Sequence, residues 1–204
     1  PASAQKPAEE SVSPVAIILE VGSALASMLA ASDEVRRQLV SDQFARIRET
    51  IQAEMGVPVP PIVLRHSLRL PPDAYTLIIS DCPAARGRIS PEDAVLPVHP
   101  REAERLGIQC RPFERPWNHA PACLIREADA ELAREASLNP VAAVTVVFQH
   151  VEAALRRHLA GFLGVQETQR LLEALEKHSP DLKEAVVPKP LTLPQLTAIL
   201  QRLL

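Results

Sequence analysis

The chain has 204 residues, 47% of them hydrophobic and only 3% aromatic, with a formal net charge of -3. This length allows one or two domains that bury about 70% of the unfolded surface, around a core of Leu, Val, Ile and Ala. Charges of both signs are interspersed, without the concentrated basic face that nucleic acid selects, no apolar run approaches the ~20 residues of a membrane span, and residues 1–14 lack the apolar stretch of a signal peptide.

Residues 1–14 are Pro, Ala, Ser and Glu with almost no apolar mass, and read as a disordered linker. Residues 15–20 read as a strand, and 21–31 as either a loop or a short helix. Ser32 or Asp33 caps a long helix running to about Met55. Val40, Phe44, Ile47, Ile51 and Met55 form its buried stripe, while Arg36, Arg37, Arg46, Arg48 and Glu49 face water. Gly56 and Pro58 close it. Strands over 62–65 and 75–80, joined through Pro71-Pro72-Asp73, give the order strand, helix, strand, strand, which describes an α/β layer.

Proline is dense between 82 and 120, and 20 prolines against six glycines make the connections of the chain stiff. Short pieces there suggest an apolar segment at 94–98, a brief helix at 101–106 and a strand at 108–113. Helices are predicted over 122–138 and, after Pro140, over 144–162. The tail reads as three helices on tight joints. Val165, Leu171, Leu172 and Leu175 form the stripe of the first. Ser179 caps a short second helix with Pro180 in its first turn, ended by Pro188 and Pro190. Thr192 caps the third with Pro194 in its first turn, and Leu193, Leu196, Ile199, Leu200 and Leu203 form an apolar face.

The residue types that carry chemistry are present without the spacing that chemistry requires. Six glycines form neither G-x-x-x-x-G-K nor G-x-G-x-x-G, and Gly22-Ser23 lacks the flanks of a nucleophile elbow. His150 and His158 stand about two helical turns apart, too far for one ion. The carboxylates alternate with cations on helix faces, as solvated surface does. Cys82, Cys110 and Cys123 are odd in number and unpaired in spacing, which argues against a disulfide framework and fits a reducing compartment. No catalytic set, cofactor or metal site is expected, so the function is binding and not an enzyme activity. The one Trp lies in Arg115-Pro116-Trp117 just before a predicted helix. It is either a core residue beneath a loop or a rigid aromatic anchor on an exposed surface.

The wording of the tail goes further than its periodicity. LG-x-QE-x-Q-x-LL over 163–172, then Pro180, Leu182, Glu184 and Pro188, then L-x-x-L-x-x-x-LQ-x-LL over 193–204 together resemble the cytoplasmic part of the export-gate proteins of flagellar and virulence-associated type III secretion, the FlhA/SctV family. Upstream, Leu19-Glu20-Val21-Gly22, the 44–51 helix segment, Met55-Gly56-Val57-Pro58 and Leu70-Pro71-Pro72-Asp73-Ala74-Tyr75 resemble the same family. The resemblance implies an α+β fold: a thioredoxin-like α/β subdomain over 15–82 and 139–160, an inserted small α/β subdomain over 83–138, and the start of a helical subdomain over 161–204. No Cys-x-x-Cys accompanies the thioredoxin-like part.

The resemblance also implies a function. The chain would be the cytosolic docking platform of an export gate, binding secretion chaperones with their cargo and assembling into a homo-oligomeric ring, nonameric in the full-length protein. Other export-apparatus and ATPase-complex proteins would be further partners. A membrane-embedded region would precede this segment in a bacterial inner-membrane protein, and more chain would follow it. Flagellar relatives bind chaperones in a depression that uses an Asp-Pro-x-Phe segment and a residue just before a His that opens the returning helix. The matching positions here are Arg115, Pro116 and Trp117, with Phe148 and Gln149 before His150. Acid and Phe become Arg and Trp, which favours the virulence branch over the flagellar one. The alternatives from other classes are a small thioredoxin-like redox enzyme, for which Cys82 is the sole candidate thiol, and a soluble adaptor without a membrane partner.

Overall fold

The computed structural model describes residues 17–29, 34–178 and 191–204. Alternation in Ile17–Val21 makes β1, with Ile17, Leu19 and Val21 fully buried on one face. Two helices follow, α1 (Ser23–Leu29) and α2 (Glu34–Met55), and return the chain to β2 (Ile62–His66). β2 lies parallel to β1, as such a crossover requires. β3 (Ala74–Ile79) and β4 (Cys82–Arg88) add antiparallel strands, giving the order β2-β1-β3-β4. Phe44, Ile47 and Ile51 of α2 bury against this sheet as the stripe predicts, and Val40 is half-buried. Met55 is instead 39% exposed, because the helix ends there and Gly56, at φ +70, turns the chain away. Arg48 is also half-buried, its Nε donating to the Val59 carbonyl at 2.8 Å, rather than facing water.

A second sheet has the order β6-β7-β5-β8, with every neighbouring pair antiparallel. Its strands are β5 (Asp93–Leu96), β6 (Arg111–Glu114), β7 (Pro121–Arg126) and β8 (Val141–Ala142). Helix α3 (Pro100–Arg105) packs on β7 through the buried Ala103. The helix predicted over 122–138 is corrected here. Its first part is the strand β7, and only α4 (Ala130–Glu135) is α-helical. β7 is hydrogen-bonded on both sides, to β5 and β6, and the ladders override the helix-forming composition. The strand expected at 108–113 starts later, at Arg111, and Ile108 is buried in the loop before it.

Helix α5 (Ala143–Arg157) buries Val146, Val147, His150, Val151, Ala154 and Leu155, and it contacts α2, β4 and β5. The helix predicted over 144–162 therefore stops at Arg157, and a separate 3-10 turn covers Leu159–Phe162. The tail contributes α6 (Val165–His178) and α7 (Leu193–Leu203), which pack on each other. The short helix between them, with Ser179, Pro180, Pro188 and Pro190, lies outside the described residues. Thr192 is the N-cap of α7 with Pro194 in its first turn, and Gln195 Oε1 accepts from the Thr192 N–H at 2.9 Å. Only Leu172 of the α6 stripe is buried, and Val165 is 45% exposed.

The seam between α6 and α7 is partly polar. Thr197 Oγ1 donates to Thr168 Oγ1 at 2.9 Å, and Thr168 Oγ1 donates to the Gly164 carbonyl at 2.9 Å, with both threonines buried. Thr197→Val keeps the volume and removes the interhelical bond. It is expected to cost about 1 kcal/mol, read as a fall of about 2–4 °C in Tm.

Candidate functional site

Helix α5 presents two flanks with different neighbours. On one flank the Phe148 ring meets Phe44 of α2 edge to face, with centroids 5.5 Å apart at 87°. Beside this pair runs a groove of about 540 Å³, lined by Met28, Leu39, Val40 and Ile47 from α1 and α2 and by Val144, Phe148 and Gln149 from α5. Leu39 is 56% exposed, which is high for a large apolar side chain next to other apolar groups. Gln149 is exposed.

On the other flank His150, at 2% exposure, reaches β3 and the β6–β7 hairpin. Its Nδ1 lies 2.8 Å from Tyr75 Oη, and the two rings stand edge to face at 5.7 Å. Burial and then the charge of Arg157 lower the His150 pKa from 6.5 to about 4, so the imidazole is neutral and a single hydrogen bond joins its Nδ1 to the Tyr75 hydroxyl. Burial raises the Tyr75 pKa as well, which keeps the phenol protonated.

The third member is Trp117, whose ring lies 5.9 Å from His150 at a tilt of 36°. Pro116 sets up the turn that carries it. Asn118 N–H donates to the Arg115 carbonyl at 3.3 Å, so Pro116 and Trp117 are the central residues of a β-turn. Trp117 is half-buried and packs on the main core, with Arg115 and Pro116 half-buried beside it. Arg115 Nε is buried with no hydrogen-bond partner among the described residues.

Thus the structure brings Phe148 and Gln149 together on the groove, while Arg115, Pro116 and Trp117 sit together at the hairpin tip on the His150 side. Positions 148 and 150 are about 200° apart around a helix, so the two groups flank α5 without merging into one surface. Sequence reasoning missed Tyr75, His150 and Leu39 as site residues. His150 carried a signal, because it falls on the 143, 147, 150, 154 stripe where a polar residue must find a partner.

A further cleft, of about 760 Å³, opens between β4 and the second sheet. Arg88 of β4 pairs with Asp73 in the turn before β3 on one wall, and Arg111 of β6 pairs with Asp93 of β5 on the other, so neither ion pair crosses the cleft. Among the described residues no three His, Cys, Asp or Glu side chains are placed to hold a metal ion, and no helix is long and apolar enough to cross a membrane.

The family model described as the FHIPEP family matches residues 1–204. The chain belongs to this family. Among FHIPEP relatives, the flagellar biosynthesis protein FlhA of Bacillus subtilis is 29% identical over 163 residues, covering 80% of this chain and 24% of that protein. The hypersensitivity response secretion protein HrpI of Pseudomonas syringae is 26% identical over 176 residues, covering 84% of this chain and 24% of the relative. The chain therefore spans about a quarter of the length of these FHIPEP relatives. The solved CdsV protein of Chlamydia pneumoniae superposes with a TM-score of 0.81 at 23% identity, over 97% of this chain and 59% of that one, and CdsV has also been solved in complex with CdsO. The nonameric SctV-C of EPEC superposes with a TM-score of 0.63 at 16% identity, over 92% of this chain and 53% of that one. These likenesses establish the FHIPEP fold of two small sheets and packed helices, an α+β architecture.

Proposed function

We propose that this FHIPEP chain is the cytosolic docking platform of a type III secretion export gate, which receives chaperone-bound cargo and assembles into a ring. The observation that carries the reading is the apolar groove between α2 and α5, with exposed Leu39 on one side and Phe148 and Gln149 on the other. Its neighbour across α5 is the half-buried Trp117 turn. An apolar depression flanked by a stiff aromatic turn suits protein recognition, because aromatic anchors lose little entropy on binding.

In this reading the first sheet with α5 forms one subdomain, the second sheet is inserted into it, and the helices after residue 161 begin a third. The work is recognition and subdomain movement, with no bond made or broken. The ring and further export-apparatus partners follow from the family; the nonameric SctV-C and the CdsV–CdsO complex support them as properties of related proteins. A membrane-embedded region elsewhere in the full-length protein would hold the ring at the bacterial inner membrane. Arg115 and Trp117, in place of the acid and Phe of the flagellar Asp-Pro-x-Phe segment, favour the virulence branch.

Calorimetric titration of the chain with a secretion chaperone carrying its cargo tests the site. Trp117→Ala and Gln149→Lys are each expected to weaken binding by roughly thirtyfold, the loss of one interface hot spot. Unchanged affinity in a Gln149→Lys variant with native circular dichroism would remove the groove from the interface. The same result for a folded Trp117→Ala would remove the hairpin tip.

A further inference from the structure

The sequence spacing of the cysteines suggests no pair, yet the fold brings two of them to the base of one hairpin. Cys123 is on β7 and Cys110 immediately precedes β6, the two strands of one antiparallel hairpin in which Pro112 is the register partner of Cys123. Both thiols converge on the same stretch of backbone. Cys110 Sγ donates to the Pro100 carbonyl at 3.8 Å, and Cys123 Sγ to the Val98 carbonyl at 3.5 Å. Burial first, and then the Cys110 thiol, push up the Cys123 pKa. Cys123 is fully buried, whereas Cys110 is half-buried and lines the 760 Å³ cleft between the sheets. A small solute therefore has a route to one sulfur of the pair.

We propose that Cys110 and Cys123 are an oxidisable thiol pair, converted to an intrachain disulfide by a low-molecular-weight disulfide of the glutathione class. The Cys110 thiolate attacks one sulfur of the reagent, that S–S bond breaks, and the first small thiol leaves with a proton from solvent. Cys123 then attacks Cys110 Sγ, and its proton passes to the second small thiol as that thiol is expelled. Two protein thiols are oxidised and one small disulfide is reduced to two thiols. The order follows from access and charge. The Cys123 thiol is pushed up to about 12 by burial and then by its contacts with Cys110, so it stays protonated while Cys110 is free. Capping Cys110 as a mixed disulfide removes that second influence.

The bond would close the base of the hairpin whose tip carries Trp117. It would limit how far that tip can leave His150, and so make the hairpin responsive to the thiol poise of its compartment. This inference stands on the placement of both thiols against the 98–100 backbone and on the access to Cys110, and is independent of the export reading.

The test incubates the 204-residue chain with oxidised glutathione and maps the peptides without reduction. The expected product is a Cys110–Cys123 cross-link that dithiothreitol reverses, with a stable glutathione adduct at exposed Cys82, which opens β4 in the other sheet. Cys110→Ser should abolish the cross-link and leave Cys123 unmodified. Phenylarsine oxide, which needs two neighbouring thiols, should bind the parent chain and be lost from Cys110→Ser. A stable glutathione adduct at Cys110 without the cross-link would overturn the proposal. So would unreacted Cys110 and Cys123 in a sample where Cys82 has reacted, or equal retention of phenylarsine oxide by both chains.

Discussion

Gly22→Ala is expected to lower stability by about 3 kcal/mol, which for a chain of this size lowers Tm by about 6–12 °C. Gly22 ends β1 and opens α1, with the turn at 71–74 packed against its backbone. Its N–H donates to the Ala74 carbonyl at 2.8 Å, and the Ala24 and Leu25 N–H groups both donate to the Pro72 carbonyl, at 3.0 and 3.2 Å. A Cβ at position 22 would lie 1.9 Å from the Pro71 carbonyl oxygen and 2.8 Å from that of Pro72. These are backbone atoms of two consecutive prolines, so no rotamer change relieves the overlap. Either the turn withdraws and three hydrogen bonds lengthen, or β1 shifts against β3. The reduced freedom of the unfolded alanine chain returns only about 0.4–1 kcal/mol. Gly161→Ala is the control, because nothing lies within 4 Å of a Cβ there; it is expected to stay within about 1 kcal/mol of the parent. Urea and thermal unfolding of both variants measure the difference. Equal midpoints would mean that the 71–74 turn yields freely.

The same glycine illustrates what the sequence carried. A strand over 15–20 was readable from the residues, Leu19-Glu20-Val21-Gly22 was legible through family resemblance, and the α2 stripe was readable from its spacing of three and four. The contact with Pro71 joins positions almost fifty residues apart and has no local signature. β4 is a sharper case. Its sequence, Cys-Pro-Ala-Ala-Arg-Gly-Arg, shows no apolar alternation, and it exists because it completes the ladder on β3. Even its glycine is set by that partner, since a Cβ on Gly87 would lie 2.3 Å from the Tyr75 hydroxyl. β7 failed for a different reason. Ala122, Cys123, Leu124 and Ile125 form a short apolar run that periodicity cannot assign, and the Ala- and Glu-rich residues after it extend the helical pattern. Its central place in the second sheet decided the matter. The site divided in the same way. Phe148 and Gln149 were legible through family resemblance, and the structure adds the α2 wall opposite them. The meeting of Trp117 with His150, and of Cys110 with Cys123, depends on how the hairpin docks and pairs.

The Tyr75–His150–Trp117 cluster joins β3, α5 and the hairpin tip, and its acid sensitivity has a definite sign. The unfolded imidazole titrates near 6.5 and the folded one near 4, because burial first and Arg157 second disfavour the charged form. Between these values the unfolded chain binds a proton that the folded chain refuses. The contribution of His150 is therefore present in full above about pH 6.5, is lost as pH falls toward 4, and changes no further below that. The gap corresponds to about 3 kcal/mol. Carboxylates titrate over part of the same range, so the informative quantity is a difference between two chains. His150→Gln keeps an acceptor for the Tyr75 hydroxyl and has no charge to gain. Between pH 7 and pH 4 the parent chain is expected to lose about 3 kcal/mol more than this variant, measured from urea midpoints at each pH. Emission from Trp117, the single tryptophan, reports whether the hairpin tip leaves α5 before the whole chain unfolds. Parallel losses in the two chains would show that the folded imidazole takes up its proton as readily as the unfolded one. The imidazole would then face Trp117 as a cation, and the hairpin would be held by charge on an aromatic face instead of by packing.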